Sequence, residues 1–150
     1  IVVSDKGHAE GVRMRDFGDF ANPASPRNAA LVECGQHWET ESIEVAKDCV
    51  TGFLRHTGVV PVDFAQERMA KRPSRLPQRV YQVSGPVTIK TDSFRFAQDW
   101  RGFEHLAKGS LIGHDGDEAV LAPHEPTVLI MPTRRLWPGK TAVRLAFPVP

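Results

Sequence analysis

The chain has 150 residues, 41% hydrophobic and 25% charged, a size at which one domain, or two very small ones, buries about 70% of the unfolded surface. Lys and Arg total 19 against 18 Asp and Glu, a formal charge of +1, so no global field draws the chain toward nucleic acid or an anionic membrane, and neither is expected as a partner. The apolar runs, such as Val128-Leu129-Ile130-Met131, fall far short of the roughly 20 residues that span a bilayer. Cys34 and Cys49 make no C-x-x-C pair and are too few for a disulfide framework, which fits a reducing, cytoplasmic setting.

The chain opens Ile1-Val2-Val3-Ser4-Asp5 with no initiator Met and no signal-peptide pattern, and it reads as the interior of a longer protein. Ile1 to Val3 is expected as a short strand. Ala29-Ala30-Leu31-Val32, bounded by Pro26 and Gly35, has the pattern of a buried strand with Glu33 and Cys34 at its carboxyl end. Ile43, Ala46, Val50, Phe53 and Leu54 recur at offsets 0, 3, 7, 10 and 11, an apolar stripe of helical period. Glu39, Glu41 and Glu44 crowd the start of this helix, Arg55 and His56 its end, and Gly58 follows, as the macrodipole and a glycine C-cap require. Val59-Val60-Pro61-Val62 begins a turn or another short strand. Together these elements suggest the tail of an α/β layer over residues 1–72.

Gln66 to Arg79 carries Arg68, Lys71, Arg72, Arg75 and Arg79 with Pro73 and Pro77, opposed only by Glu67. It reads as a solvated connector with an extended end. Nine of the twelve prolines lie from Pro73 onward, so residues 73–150 form a second unit of different character. There Val80, Gln82, Val87, Ile89, Phe94, Phe96, Val120, Leu129, Val143 and Leu145 fall in short runs. Gly85-Pro86, Gly102, Lys108-Gly109, Gly113 to Asp117, Pro123 to Pro126 and Pro138-Gly139 separate them, the pattern of a small all-β barrel or sandwich.

Chemistry is concentrated at Leu31-Val32-Glu33-Cys34-Gly35-Gln36-His37. Ligands of open α/β sheets bind beyond the carboxyl ends of strands, where a carboxylate is partly desolvated, so Glu33 is a candidate general acid or base. The alternative is a Glu that satisfies backbone donors at a strand end. The six histidines are scattered and make no H-x-x-E, H-E-x-x-H or H-x-H motif; His8-Ala9-Glu10 and His37-Trp38-Glu39 read as surface or loop pairs, so no metal ligand is assigned. His114 to Glu118 lacks the register of a calcium loop and reads as a polar turn. Cys34, near His37, could be a nucleophile, but a lone Cys ending an apolar run is ordinarily a small buried hydrophobe, as is Cys49. Arg134-Arg135 could meet a carboxylate through their guanidinium forks. Trp100 and Trp137 read as partly buried plugs.

Leu31-Val32-Glu33-Cys34-Gly35-Gln36, an amphipathic helix, a linker, and a tail reading Gly109-Ser110-Leu111-Ile112-Gly113 and Ala122-Pro123 together resemble the succinylglutamate desuccinylase/aspartoacylase family. Nearly the whole chain resembles the C-terminal half of such a protein. The resemblance implies the end of a carboxypeptidase-like α/β domain followed by a small barrel-sandwich-like β domain that packs over the active site. It also implies a zinc-dependent deacylase that hydrolyses the amide of small N-acyl amino acids. The family's catalytic Glu, at the end of a sheet strand, takes the proton of the attacking water and passes it to the leaving amine; by motif match it is Glu33. The family's zinc ligands, an H-x-x-E motif and a later His, precede that Glu, and Gly7-His8-Ala9-Glu10 matches neither. Zinc is therefore implied for a longer protein, whose N-terminal half is the implied partner of this chain. Arg27, six residues before Glu33, is the nearest candidate for the family's substrate-binding arginines.

The tail also resembles biotinyl and lipoyl carrier domains, but the Pro123-His124-Glu125-Pro126 turn has no Lys to modify. The functional expectation is the C-terminal portion of a zinc-dependent amidohydrolase with Glu33 as general base, compatible with a homo-oligomer. The alternative is a non-catalytic binding or interaction module working through its β domain.

Overall fold

The computed structural model describes residues 1–5, 12–35, 39–71 and 77–150, and the chain divides into two units, Ile1–Lys6 with Pro77–Pro150 and Gly7–Leu76. The boundary expected between residues 72 and 73 lies outside the described residues.

The first unit is built from eight strands: β1 Val2–Ser4, β2 Val80–Thr88, β3 Arg95–Phe96, β4 His105–Leu106, β5 Leu111–Asp115, β6 Glu118–Leu121, β7 Thr127–Ile130 and β8 Thr141–Val149. They form two open sheets, ordered β1-β2-β8-β7-β4 and β3-β5-β6, in place of the closed barrel that the spacing allowed. β2 and β8 are the long central pair, antiparallel from Val80↔Val149 to Thr88↔Thr141. β1 pairs in parallel with β2, Val2 opposite Val80, so it belongs to this unit and not to an α/β layer. Its β-branched run dictates extended backbone, but a local pattern cannot choose a partner some 80 residues away.

Gly85-Pro86, expected as a break, lies inside β2. A register shift falls between Val83 and Gly85, and β1 covers only Val80 to Gln82, so Pro86 has no ladder neighbour on that side to miss its N–H. The polar segment His114 to Glu118 does form a turn, Asp115 and Glu118 pairing across it with Gly116 at φ +62°.

β7 is buried along its whole length, and its successive residues feed separate apolar clusters. Ile112, Leu129 and Val143 are fully buried together with Ala122 and Leu145; Tyr81, Val128, Ile130 and Ala146 form a second cluster, and Ile89, Phe94 and Ala142 a third. Trp100 is half-buried against the first cluster and donates its indole N–H to the Ile112 carbonyl at 2.9 Å, as a plug should. Trp137 is not a plug: it is 62% exposed.

Among its described residues the second unit contains two α-helices, α1 Thr40–His56 and α2 Gln66–Ala70. α1 ends as its sequence indicates. Gly58 takes the left-handed φ of +72°, its N–H reaches the Arg55 carbonyl, and the Val59 N–H reaches that of Leu54, a Schellman closure. Ala46, Phe53 and Leu54 of the stripe are half-buried, while Ile43 and Val50 are exposed.

Ala29 to Val32, expected as a buried strand, has no strand structure, and Leu31 and Val32 are 54% and 46% exposed. Four apolar residues state only that burial would be favourable; a strand needs a ladder partner, and none of the described strands supplies one. The start of the basic connector is also structured. Arg68 of α2 reaches Glu44 at 2.8 Å and Asp48 at 2.7 Å on α1, so it holds the two helices together instead of lying in a solvated linker.

Candidate functional site

Glu33 lies in irregular, exposed backbone directly before Cys34 and Gly35. Gly35 has φ +121°, and a Cβ on it would meet the Ser42 hydroxyl oxygen at 2.6 Å. A residue without a side chain therefore lets this segment pass close against the first turn of α1. Glu33 is exposed, and among the described residues no hydrogen bond or ion pair engages its carboxylate. Cys34 is a half-buried free thiol. Its suggested neighbour His37 lies outside the described residues, as do His8 and Glu10.

Arg27 belongs to a separate feature of the same unit. Two short 3-10 turns, Met14–Asp16 and Gly18–Phe20, fold against the segment from Asn22 to Ala29 and enclose an open polar hollow of about 360 Å³. Its walls include Arg15, Asp16, Asn22, Ser25, Arg27 and Asn28. Arg27 donates from Nη1 to Asp19 Oδ2 at 2.6 Å, both side chains being exposed. Its Nε and Nη2 make no hydrogen bond among the described residues, so part of the fork remains available. Glu33 is not among the residues lining this hollow; the structure does not bring the two candidates into one pocket.

The strongest electrostatic couplings lie elsewhere. In the helical unit, hydrogen bonds from Lys47 and Arg68 hold the Glu44 carboxyl below its ordinary range, and Glu44 in turn raises Arg68. In the β unit, the Thr91 hydroxyl and the N–H groups of Lys90 and Thr91 hold Asp115 low against the opposing effect of burial. These partnerships close turns and join helices. Ser84 Oγ lies 3.0 Å from His124 Nε2, a pairing that sequence spacing could not reveal. Its hydroxyl is also placed to donate to the Leu145 carbonyl at 3.1 Å, which competes with any transfer of that proton to the imidazole. Among the described residues no three His, Cys, Asp or Glu side chains converge to hold a metal ion.

No family model matches the chain. It is 32% identical over 75 residues to the succinylglutamate desuccinylases of three strains of Vibrio cholerae serotype O1, a match covering 47% of this chain and 22% of each relative. Over those 75 residues the chain is similar to proteins named succinylglutamate desuccinylase. Solved structures of succinylglutamate desuccinylases from Vibrio parahaemolyticus and Vibrio cholerae are each 25% identical to it. Their TM-scores are 0.47 and 0.43, with coverage of 59% and 65% of this chain and 28% and 30% of theirs. This chain thus spans less than a third of the length of the desuccinylases it matches.

Proposed function

We propose that this chain is the C-terminal portion of a deacylase that hydrolyses the amide bond of small N-acyl amino acids, with Glu33 as its general base. The observation that carries the proposal is the 32% identity over 75 residues to proteins named succinylglutamate desuccinylase. Glu33 supports it chemically, because a carboxylate free of partners among the described residues can accept a proton from the attacking water and deliver it to the leaving amine. The free N–H groups of Arg27 suit a substrate carboxylate, which the guanidinium would hold in a bidentate fork.

The family resemblance implies zinc, which in a hydrolase polarises the acyl carbonyl as a Lewis acid. The described residues do not fit a zinc site, and the proposal assigns its ligands to sequence outside this chain.

The product of the complete reading frame, supplied with zinc, should release free amine from N-succinyl or N-acetyl amino acids. Glu33→Gln in that protein should lower kcat by about 10² to 10⁴ with zinc content unchanged by metal analysis. Near-normal turnover of Glu33→Gln removes the general-base assignment. Failure to hydrolyse any N-acyl amino acid removes the deacylase and leaves the interaction module.

A further inference from the structure

The connection between β7 and β8 runs Met131-Pro132-Thr133-Arg134-Arg135-Leu136-Trp137-Pro138-Gly139-Lys140, three cations and no acid in ten residues. It is firmly held. The Thr133 N–H donates to the Ala142 carbonyl at 2.8 Å, and Gly139 and Lys140 exchange backbone hydrogen bonds with Ile89 at 2.8 and 2.9 Å. Leu136 packs on the buried cluster of Ile89, Phe94 and Ala142. The Lys140 N–H returns to the Trp137 carbonyl at 3.1 Å, closing a Pro-Gly turn with Gly139 at φ +79°, as a type II turn requires. Within this fixed frame the smaller Leu136 is turned inward and the larger Trp137 outward, 62% exposed, with Met131 56% exposed. Arg134, Arg135 and Lys140 of the same connection are exposed as well. Among the described residues the acid paired with this group is Asp99, 3.8 Å from Arg134 with both side chains largely in solvent, a contact too loose to neutralise it.

We propose that this loop is a docking tip for an anionic membrane surface, with Trp137 and Met131 entering the headgroup region and Arg134, Arg135 and Lys140 pairing with lipid phosphates and carboxylates. Trp at the polar boundary flanked by Arg and Lys is the composition that interfacial anchoring selects. Charge complementarity fixes the sign of the partner. A protein partner would need about 800 Å² of matching surface on each side, whereas the exposed apolar groups here sit on one short connection, and a fluid bilayer needs no matching shape. The chain's total charge of +1 hides this surface because acids elsewhere in the sequence, in the same unit as well as in the other, offset its three cations.

The product of the complete reading frame is to be mixed with vesicles of pure phosphatidylcholine and of phosphatidylcholine with phosphatidylserine, and followed by sedimentation and tryptophan fluorescence. The expected result is salt-sensitive binding to the phosphatidylserine vesicles alone, with a blue shift that disappears in Trp137→Phe. Arg134→Glu with Arg135→Glu should weaken binding by at least about 30-fold, the effect of losing two cations near the surface, while Arg134→Lys with Arg135→Lys retains it. Both sites are exposed, so unchanged thermal unfolding verifies that each variant is folded. Equal binding to both vesicles, or to neither, overturns the proposal. So does binding to soluble polyglutamate without binding to vesicles, which would assign the loop to an acidic protein surface.

Discussion

Asp115 accepts both the backbone N–H and the hydroxyl of Thr91, at 2.9 and 2.7 Å, and the Lys90 N–H at 2.7 Å. One carboxylate at the end of β5 thereby fixes the chain as it leaves β2. Asp115→Asn keeps the shape but removes the charge that strengthens all three bonds and replaces one acceptor oxygen with a donor. Its melting temperature should fall by several degrees in circular dichroism; an unchanged Tm would show that the clamp contributes nothing to stability.

The same carboxylate sets a pH dependence. Thr91 and the two backbone donors hold Asp115 below its ordinary value in the folded chain, and Lys47 and Arg68 do so for Glu44, so the unfolded state binds more protons in acid. Their stabilisation is complete above the unfolded carboxylate range near pH 4 and is lost as pH falls through the lower folded values. Urea midpoints measured from pH 7 down to 3 should decline, less steeply in Asp115→Asn. Identical slopes in the two proteins would exclude Asp115 as a source.

Burial separates two leucines that sequence treats alike. Leu129 is fully buried in the main β cluster, and Leu129→Ala should cost about 2–5 kcal/mol. Leu31, exposed and outside any strand, should tolerate Ala within about 0.5 kcal/mol. Chemical denaturation of both variants checks the pair; a large loss at Leu31 would restore the buried strand.

Gly113 has no need of a left-handed backbone, yet a Cβ there would lie 2.5 Å from the Arg95 carbonyl oxygen on β3 and 3.2 Å from the Phe96 Cα. Backbone cannot step aside as a side chain can. Gly113→Ala should destabilise by about 1–3 kcal/mol and weaken amide protection along β3, measurable by hydrogen exchange.

Glu33 and Cys34 are adjacent and assigned opposite fates. In the longer protein, the proposed roles predict that Cys34→Ser changes turnover by no more than about threefold, whereas Glu33→Gln lowers it by about 10² to 10⁴, the scale of general-base catalysis. Loss of activity in Cys34→Ser with Glu33→Gln active would exchange their roles.

Elements that rest on local periodicity and end signals were legible without tertiary information. α1 follows from its apolar stripe, its acidic start and Gly58, and β7 and β8 from short apolar runs, because helix dipole, cap and pleat act within a few residues. Tertiary structure alone decided which apolar residues found cover. Ala29 to Val32 has no ladder partner among the described residues, β1 found its partner in β2, Arg68 left the connector for Glu44 and Asp48, and Trp137 stayed outside while Leu136 went in. Hydrophobicity states what burial would gain for a residue, but whether a neighbour arrives to bury it depends on chain segments far away in sequence.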